Sequence, residues 1–132
     1  MTNHQAINPA ALYAGAPYDY ATLASPGSLL FTAGACPLDA GGAVVAPGDV
    51  EAQTRQTLDN LVATLAEGGS GLARVLKTTV YVATADRSVL VRAWAVVEER
   101  LAPARPPSTL LGVATLGYPD QLVEIEAIAA AG

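Results

Sequence analysis

The sequence predicts an α+β domain in which two helices pack on one face of a mixed β-sheet. The predicted segments follow the order β-β-(β)-α-β-α-β-β, two of them repeat apolar residues at helical spacing, and the others are rich in β-branched residues or alternate in polarity. With 132 residues and neither a repeat nor a linker, the chain is expected to form a single domain, 1–132.

The first third of the chain predicts only short strands. Residues up to about 17 are predicted as loop because proline and glycine interrupt them. Strands are expected at 18–24 and 29–35, joined by the turn Ser25-Pro26-Gly27-Ser28, in which proline presets φ and glycine tolerates a positive φ. A brief apolar segment follows at 43–45.

Two helices are predicted from apolar spacing and from their end signals. Asp49 is a favourable N-cap for a helix that runs to about residue 67, where Gly68 and Gly69 supply a stop. The second helix is expected to begin near residue 86 or 88 and to end before Pro103. Further strands are predicted at 75–83, 109–116 and 122–129.

The last of these strands carries two carboxylates on one side. Because alternate strand residues face opposite sides, Glu124 and Glu126 share a face with Leu122 and Ile128, and the other face is apolar. The two carboxylates would lie roughly 7 Å apart and repel each other by about 2 kcal/mol at an effective dielectric of about 20. Either both glutamates point to solvent, or the two apolar neighbours indicate that another subunit covers this face.

Composition excludes several classes of function. The net charge is −5, and the 7 basic residues are scattered, so no nucleic-acid partner is expected. The apolar stretches are too short for the about 20 residues of a membrane-spanning helix, and residues 1–5 do not resemble a secretory signal. At 52% hydrophobic residues, the chain is apolar for a small monomer, which favours self-association.

The single cysteine and single histidine limit the possible chemistry. Cys36 cannot form an internal disulfide, which is consistent with a cytoplasmic location, and one Cys with one His cannot supply a structural zinc site. Cys36 is expected to be a small buried side chain rather than a nucleophile. His4 is expected to be a solvated side chain in a polar tail, so a serine-hydrolase triad would require His4 itself.

Several ordered segments resemble the Rid family (RidA/YjgF-like, also called the L-PSP endoribonuclease family). They are Ala16-Pro17-Tyr18, Leu29-Leu30-Phe31-Thr32-Ala33-Gly34, the helix segment 51–61 (EAQTRQTLDNL), the strand segment 75–82 (VLKTTVYV) and the final segment 122–129 (LVEIEAIA). The resemblance implies a chorismate-mutase-like (bacillus type) fold and a homotrimer with a central barrel and a cleft at each subunit interface. It also implies cofactor-independent hydrolysis of a reactive enamine or imine to a 2-oxo acid and ammonia.

The resemblance places some of the family's pocket residues directly on this chain. Glu124 falls on the family glutamate, which positions or activates water, and Tyr18 falls on the pocket tyrosine. Gly34 matches the glycine of the family's Ser-Gly pair, whereas Ala33 replaces the serine. Thr109 is expected to help shape the same cleft.

The family arginine that binds a substrate carboxylate is missing from its usual position, where Ser108 stands. Arg105 lies three residues earlier, and a bulge near Pro106-Pro107 would be needed to restore it. Arg92 lies where the family often has a pocket asparagine, on a different face of the second helix from its main apolar stripe. A guanidinium there would either bind a carboxylate or form a surface or interface ion pair.

The sequence therefore supports two main hypotheses. The first is a trimeric enamine or imine deaminase with Glu124 as the base and Arg92 or Arg105 as the anion holder. The second is a trimeric binding or sensor protein that kept the cleft and lost the reaction, which the changes at Ala33 and Ser108 favour. The family's older name also implies a ribonuclease, but the acidic charge and the absence of a usable histidine argue against it.

Overall fold

The computed structural model describes residues 4–132 and shows two helices packed on one face of a four-stranded mixed sheet. Residues 1–3, which belong to the segment where no secretory signal is expected, lie outside the described part. The elements are β1 (His4–Ile7), β2 (Ala21–Ala24), β3 (Ser28–Phe31), α1 (Val50–Glu67), β4 (Val75–Ala83), α2 (Arg87–Leu101), β5 (Ser108–Val113) and β6 (Val123–Ala131).

The main sheet has the strand order β3-β6-β4-β5. Strand β6 pairs antiparallel with both β3 and β4, whereas β4 and β5 are parallel. The parallel pair requires a crossover, and α2 provides it. The predicted mixed sheet with both helices on one face is thus confirmed.

Both helices begin at the predicted caps. The Asp49 side chain accepts a hydrogen bond from the Ala52 amide, and the Asp86 side chain accepts one from the Ser88 amide. Helix α1 ends at Gly68, and the next glycine has φ +76°, a conformation that glycine adopts without strain.

The core lies between the helices and one face of β4 and β6. Val123, Ile125, Ala127 and Ala129 are almost completely buried against the helices, as the alternation predicts. The opposite side of the sheet, which we call the open face, carries half-buried Glu124, Glu126 and Ile128. Leu122 was expected on that face, but it precedes the strand and packs against the core instead.

The N-terminal region departs from the sequence prediction. Residues 4–7 form a strand that pairs antiparallel with β2 in a separate two-stranded sheet, so this segment is not a loop. His4 therefore lies half-buried in a strand rather than in a polar tail. The segment 43–45 forms only an isolated bridge, between Val44 and Leu38. Within residues 4–132, no helix is long and apolar enough to cross a membrane.

Candidate functional site

The open face combines exposed apolar side chains with a row of polar ones. Phe31 is 67% exposed and Leu111 is 43% exposed. Strand registry places Tyr81 opposite Glu124 and Thr79 opposite Glu126 on the same face. Large exposed apolar side chains beside a carboxylate pair are typical of a surface that another molecule covers.

Glu124 is held at the edge of this face by two hydrogen-bond donors. Its Oε1 accepts hydrogen bonds from Gln121 Nε2 at 3.1 Å and from Cys36 Sγ at 3.4 Å. Its Oε2 lies against the backbone of Gly34, so closely that a β-carbon at position 34 would overlap the carboxylate. The structure therefore brings the predicted pair Gly34 and Glu124 together.

Gly34 reaches this position because the chain after β3 continues along β6. The amide of Ala35 donates to the Ile125 carbonyl at 2.7 Å, and the Ile125 amide donates back to Ala35 at 3.1 Å. Ala33, the residue that replaces the family serine, is exposed beside Gly34 and has only a methyl side chain. It supplies no hydroxyl to this part of the site.

The hydrogen bond to Glu124 affects Cys36. Burial, together with the hydrogen bond to Glu124 and its charge, raises the pKa of Cys36 to about 11. The thiol is therefore protonated near neutral pH, where it donates to the carboxylate and is a poor nucleophile. This agrees with the expectation that Cys36 is not a nucleophile.

Glu126 has a different partner. The Tyr81 hydroxyl donates to its Oε1 at 2.8 Å, and this hydrogen bond raises the pKa of Tyr81. The two carboxylates on one strand face thus each have their own donors, which offsets the repulsion expected from their spacing.

A second pocket is lined by three of the predicted residues, Tyr18, Ser108 and Thr109. Together with Pro17, Trp94 and Leu110 they line a shallow pocket of about 480 Å³. The Tyr18 ring packs edge-on against Tyr20, with centroids 5.9 Å apart. Ser108 Oγ accepts a hydrogen bond from Thr78 Oγ1 at 2.6 Å and donates one to the Pro106 carbonyl at 3.0 Å. No lysine or arginine lines this pocket among the described residues.

Neither predicted arginine reaches Glu124 within one protomer. Arg92 Nε lies 2.6 Å from Glu51 Oε1 in an exposed ion pair between the two helices, which lie on the other face of the sheet. Arg105 donates from Nη2 to the Ala16 carbonyl, and its own carbonyl accepts from the Asp19 amide. The bulge considered for Arg105 is not formed, because residues 105–107 lead directly into β5.

Ser108 and Glu124 thus belong to two groups that one protomer does not join, while Thr109 pairs in register with Thr79 on the open face. Ser108 pairs in register with buried Thr78, so its side chain lies on the helix side of the sheet, whereas Glu124 lies on the open face. Strand β4 also separates β5 from β6. A cleft that contains both groups would need a second copy of the chain.

Sequence reasoning missed Gln121, which is 4% exposed and donates directly to Glu124. Its position next to the polar segment Gly117-Tyr118-Pro119-Asp120 is typical of an exposed turn. The available signal was its place three residues before the family glutamate. Within residues 4–132, no group of three or more His, Cys, Asp or Glu side chains is arranged to hold a metal ion.

Comparisons with known proteins agree with this architecture. The family model described as Endoribonuclease L-PSP matches residues 8–131. A RutC family protein of Pyrococcus horikoshii is 37% identical over 113 residues, covering 86% of each chain, and one of Synechocystis sp. is 39% identical over 116 residues, covering 86% and 85%. The crystal structure of a protein of the conserved Rid family from Yersinia pestis superposes with a TM-score of 0.91 at 32% identity, covering 98% of this chain and 99% of its own.

Proposed function

Because the chain belongs to the endoribonuclease L-PSP family, also called the YjgF/RidA family, we propose that it hydrolyses a reactive enamine or imine. The products would be a 2-oxo compound and ammonia. The observation that carries the proposal is the Glu124 carboxylate, held through one oxygen by Gln121 and Cys36 while the other lies beside the Gly34 backbone.

The proposed reaction needs only water and proton transfer. An enamine first gains a proton on its β-carbon and loses one from its nitrogen, which gives the imine. Water then adds to the imine carbon while Glu124 takes a proton from that water and the nitrogen gains a proton. In the resulting carbinolamine the hydroxyl loses its proton and the nitrogen gains one, so that the carbonyl forms as the C–N bond breaks and ammonia leaves. A carboxylate within hydrogen-bond reach of the water is the general base that this step requires, and no cofactor takes part.

We propose that the active unit is a homotrimer, with one cleft between each pair of subunits. Two observations support it. The open face leaves Phe31 and Leu111 exposed, so that assembly would remove apolar surface from water. The Tyr18–Ser108 pocket and Glu124 also lie on different sides of one protomer, so a second copy is needed to bring them together. We also propose a cytoplasmic location, because the single cysteine cannot form an internal disulfide.

The second candidate function is ligand binding without turnover. It is favoured because no lysine or arginine lines the pocket around Ser108 among the described residues. Lys77 Nζ contacts only Thr109 Oγ1 there, at 3.5 Å, while Arg92 and Arg105 are bonded elsewhere. A trimer of this kind would bind a small 2-oxo acid or imine as a sensor. A ribonuclease remains disfavoured by the net charge of −5.

The direct test generates 2-aminoacrylate in situ and follows its loss with wild-type protein, Glu124→Gln and Glu126→Gln. We expect the wild type and Glu126→Gln to accelerate the loss, and Glu124→Gln to approach the buffer rate. No acceleration by micromolar wild-type protein would contradict the deaminase proposal.

The variant Ser108→Arg separates the two candidates, with Ser108→Ala as its control. If only Ser108→Arg is active while the wild type binds a 2-oxo acid in calorimetry, the natural protein is a binding protein. Equal activity of the wild type and Ser108→Ala supports the enzyme. Circular dichroism establishes that each variant is folded, since Ser108 is half-buried.

A further inference from the structure

Gln121 is a buried side chain that donates a hydrogen bond to Glu124 and bonds to the backbone on either side of itself. It is 4% exposed, and its Nε2 donates to Glu124 Oε1 at 3.1 Å and to the Val123 carbonyl at 3.0 Å. Its own Oε1 accepts from the Tyr118 amide at 3.1 Å. All polar atoms of this amide are therefore used, which fixes its orientation.

Helix α1 holds the backbone on both sides of Gln121. Gln53, with no exposed surface, donates from Nε2 to the Asp120 carbonyl at 2.9 Å. Its Oε1 accepts from the Leu122 amide at 2.8 Å. One buried glutamine thus bonds to the residue before and the residue after Gln121, so the loop cannot shift without breaking buried hydrogen bonds.

The same helix also holds the second donor. Asn60 Nδ2 donates to the Cys36 carbonyl at 2.8 Å and to the Leu38 carbonyl at 2.9 Å. Gln53 and Asn60 are seven residues apart and therefore lie on the same face of α1. Each of the two loops that carry a donor to Glu124 is bonded to this face.

We propose that Gln121 is a positioning residue that fixes the Glu124 carboxylate through Oε1 and leaves Oε2 for the substrate water. The proposal rests on the proposed function of Glu124 as the base. An amide suits this role because it donates to an ionised carboxylate and does not titrate, whereas a lysine would form an ion pair and weaken the base. The ionisable groups around Glu124 are Cys36 from the loop after β3, Tyr81 from β4 and Glu126 on its own strand.

The kinetic test compares kcat and KM of Gln121→Met with those of the wild type, with Gln5→Met as the control. Methionine keeps the length of the side chain and removes the donor, and Gln5 is an exposed residue of β1. We expect Gln121→Met to lower kcat about tenfold or more with little change in KM, since small misplacements of a catalytic group are costly.

A second measurement does not depend on activity or on the folding of the methionine variant. In ¹H–¹⁵N spectra, the side-chain amide of Gln121 is expected to shift and to exchange faster with solvent in Glu124→Gln, while Glu126→Gln leaves it unchanged. If Gln121→Met is folded, the resonance that disappears in its spectrum is the side-chain amide of Gln121. If that variant is not folded, the resonance is assigned by its connection to the backbone signals of Gln121 in the wild type.

The outcomes are distinct. An amide resonance that does not respond to Glu124→Gln would overturn the positioning role, and so would a kcat of Gln121→Met equal to that of the wild type and of Gln5→Met. If wild-type protein hydrolyses no imine while the amide responds as expected, the proposed function fails and the hydrogen bond that positions the carboxylate stands.

Discussion

The reactivity of Cys36 reports directly on Glu124. At pH 8 a thiol with the ordinary pKa of 9.0 is about one-tenth thiolate, whereas Cys36, with a pKa of about 11, is about one-thousandth thiolate. Alkylation by iodoacetamide should therefore be about a hundredfold slower than for an ordinary thiol. Because the chain contains a single cysteine, mass spectrometry reads the labelling of this site alone.

The perturbation is Glu124→Gln, which removes the negative charge next to Cys36 Sγ. Burial is the largest cause of the raised pKa and persists in the variant, so we expect a partial return, with labelling about tenfold faster than in the wild type. Glu126→Gln is the matched control, since Glu126 bonds to Tyr81 instead. An unchanged labelling rate in Glu124→Gln, or an equal increase in Glu126→Gln, would refute the contact between the thiol and Glu124.

Three other predictions concern the site and the core. Gly34→Ala should displace Glu124 and abolish most deaminase activity. The control Gly71→Ala should keep its activity, because a β-carbon there meets open space, and equal activities of the two variants would contradict the close approach at Gly34. Arg92→Met should change the free energy of unfolding by less than about 1 kcal/mol and leave turnover unchanged, since the ion pair of Arg92 is exposed. A loss of turnover would instead indicate that Arg92 takes part in the reaction. Leu58→Ala should cost about 2–5 kcal/mol in urea unfolding, because Leu58 is 1% exposed; a cost under about 1 kcal/mol would contradict its place in the core.

The regular part of the fold was predictable because local signals and packing agree there. Asp49 and Asp86 cap their helices, and the alternation in β6 places Ile125 in the core, as the sequence indicates. Strand β2 lies within the strand predicted at 18–24, whereas β1 was not predictable, since a four-residue strand with exposed side chains carries little hydrophobic pattern.

The site was predictable only in part, because its geometry depends on contacts distant in sequence. By local sequence Gln121 resembles an exposed turn residue, but Gln53 bonds to the backbone on either side of it, at the carbonyl of residue 120, 67 positions away, and at the amide of residue 122, 69 positions away. The family resemblance singled out Glu124 as the site glutamate, whereas the alternation of strand residues predicted only which face of the sheet it lies on. Arg105 illustrates the opposite case, because nothing local in the sequence showed that its guanidinium would bond to Ala16.

The two glutamates of β6 differ in the groups that donate hydrogen bonds to them. Glu126 Oε1 accepts from the Tyr81 phenol, which reaches it diagonally from the next strand, where registry places Tyr81 opposite Glu124. Glu124 instead accepts from Gln121 and Cys36, both of which lie in loops outside the paired strands. Strand alternation thus places both carboxylates on the open face, and the loops that contact it give only Glu124 donors from outside the strands. This difference supports the proposal that Glu124, rather than Glu126, is the base.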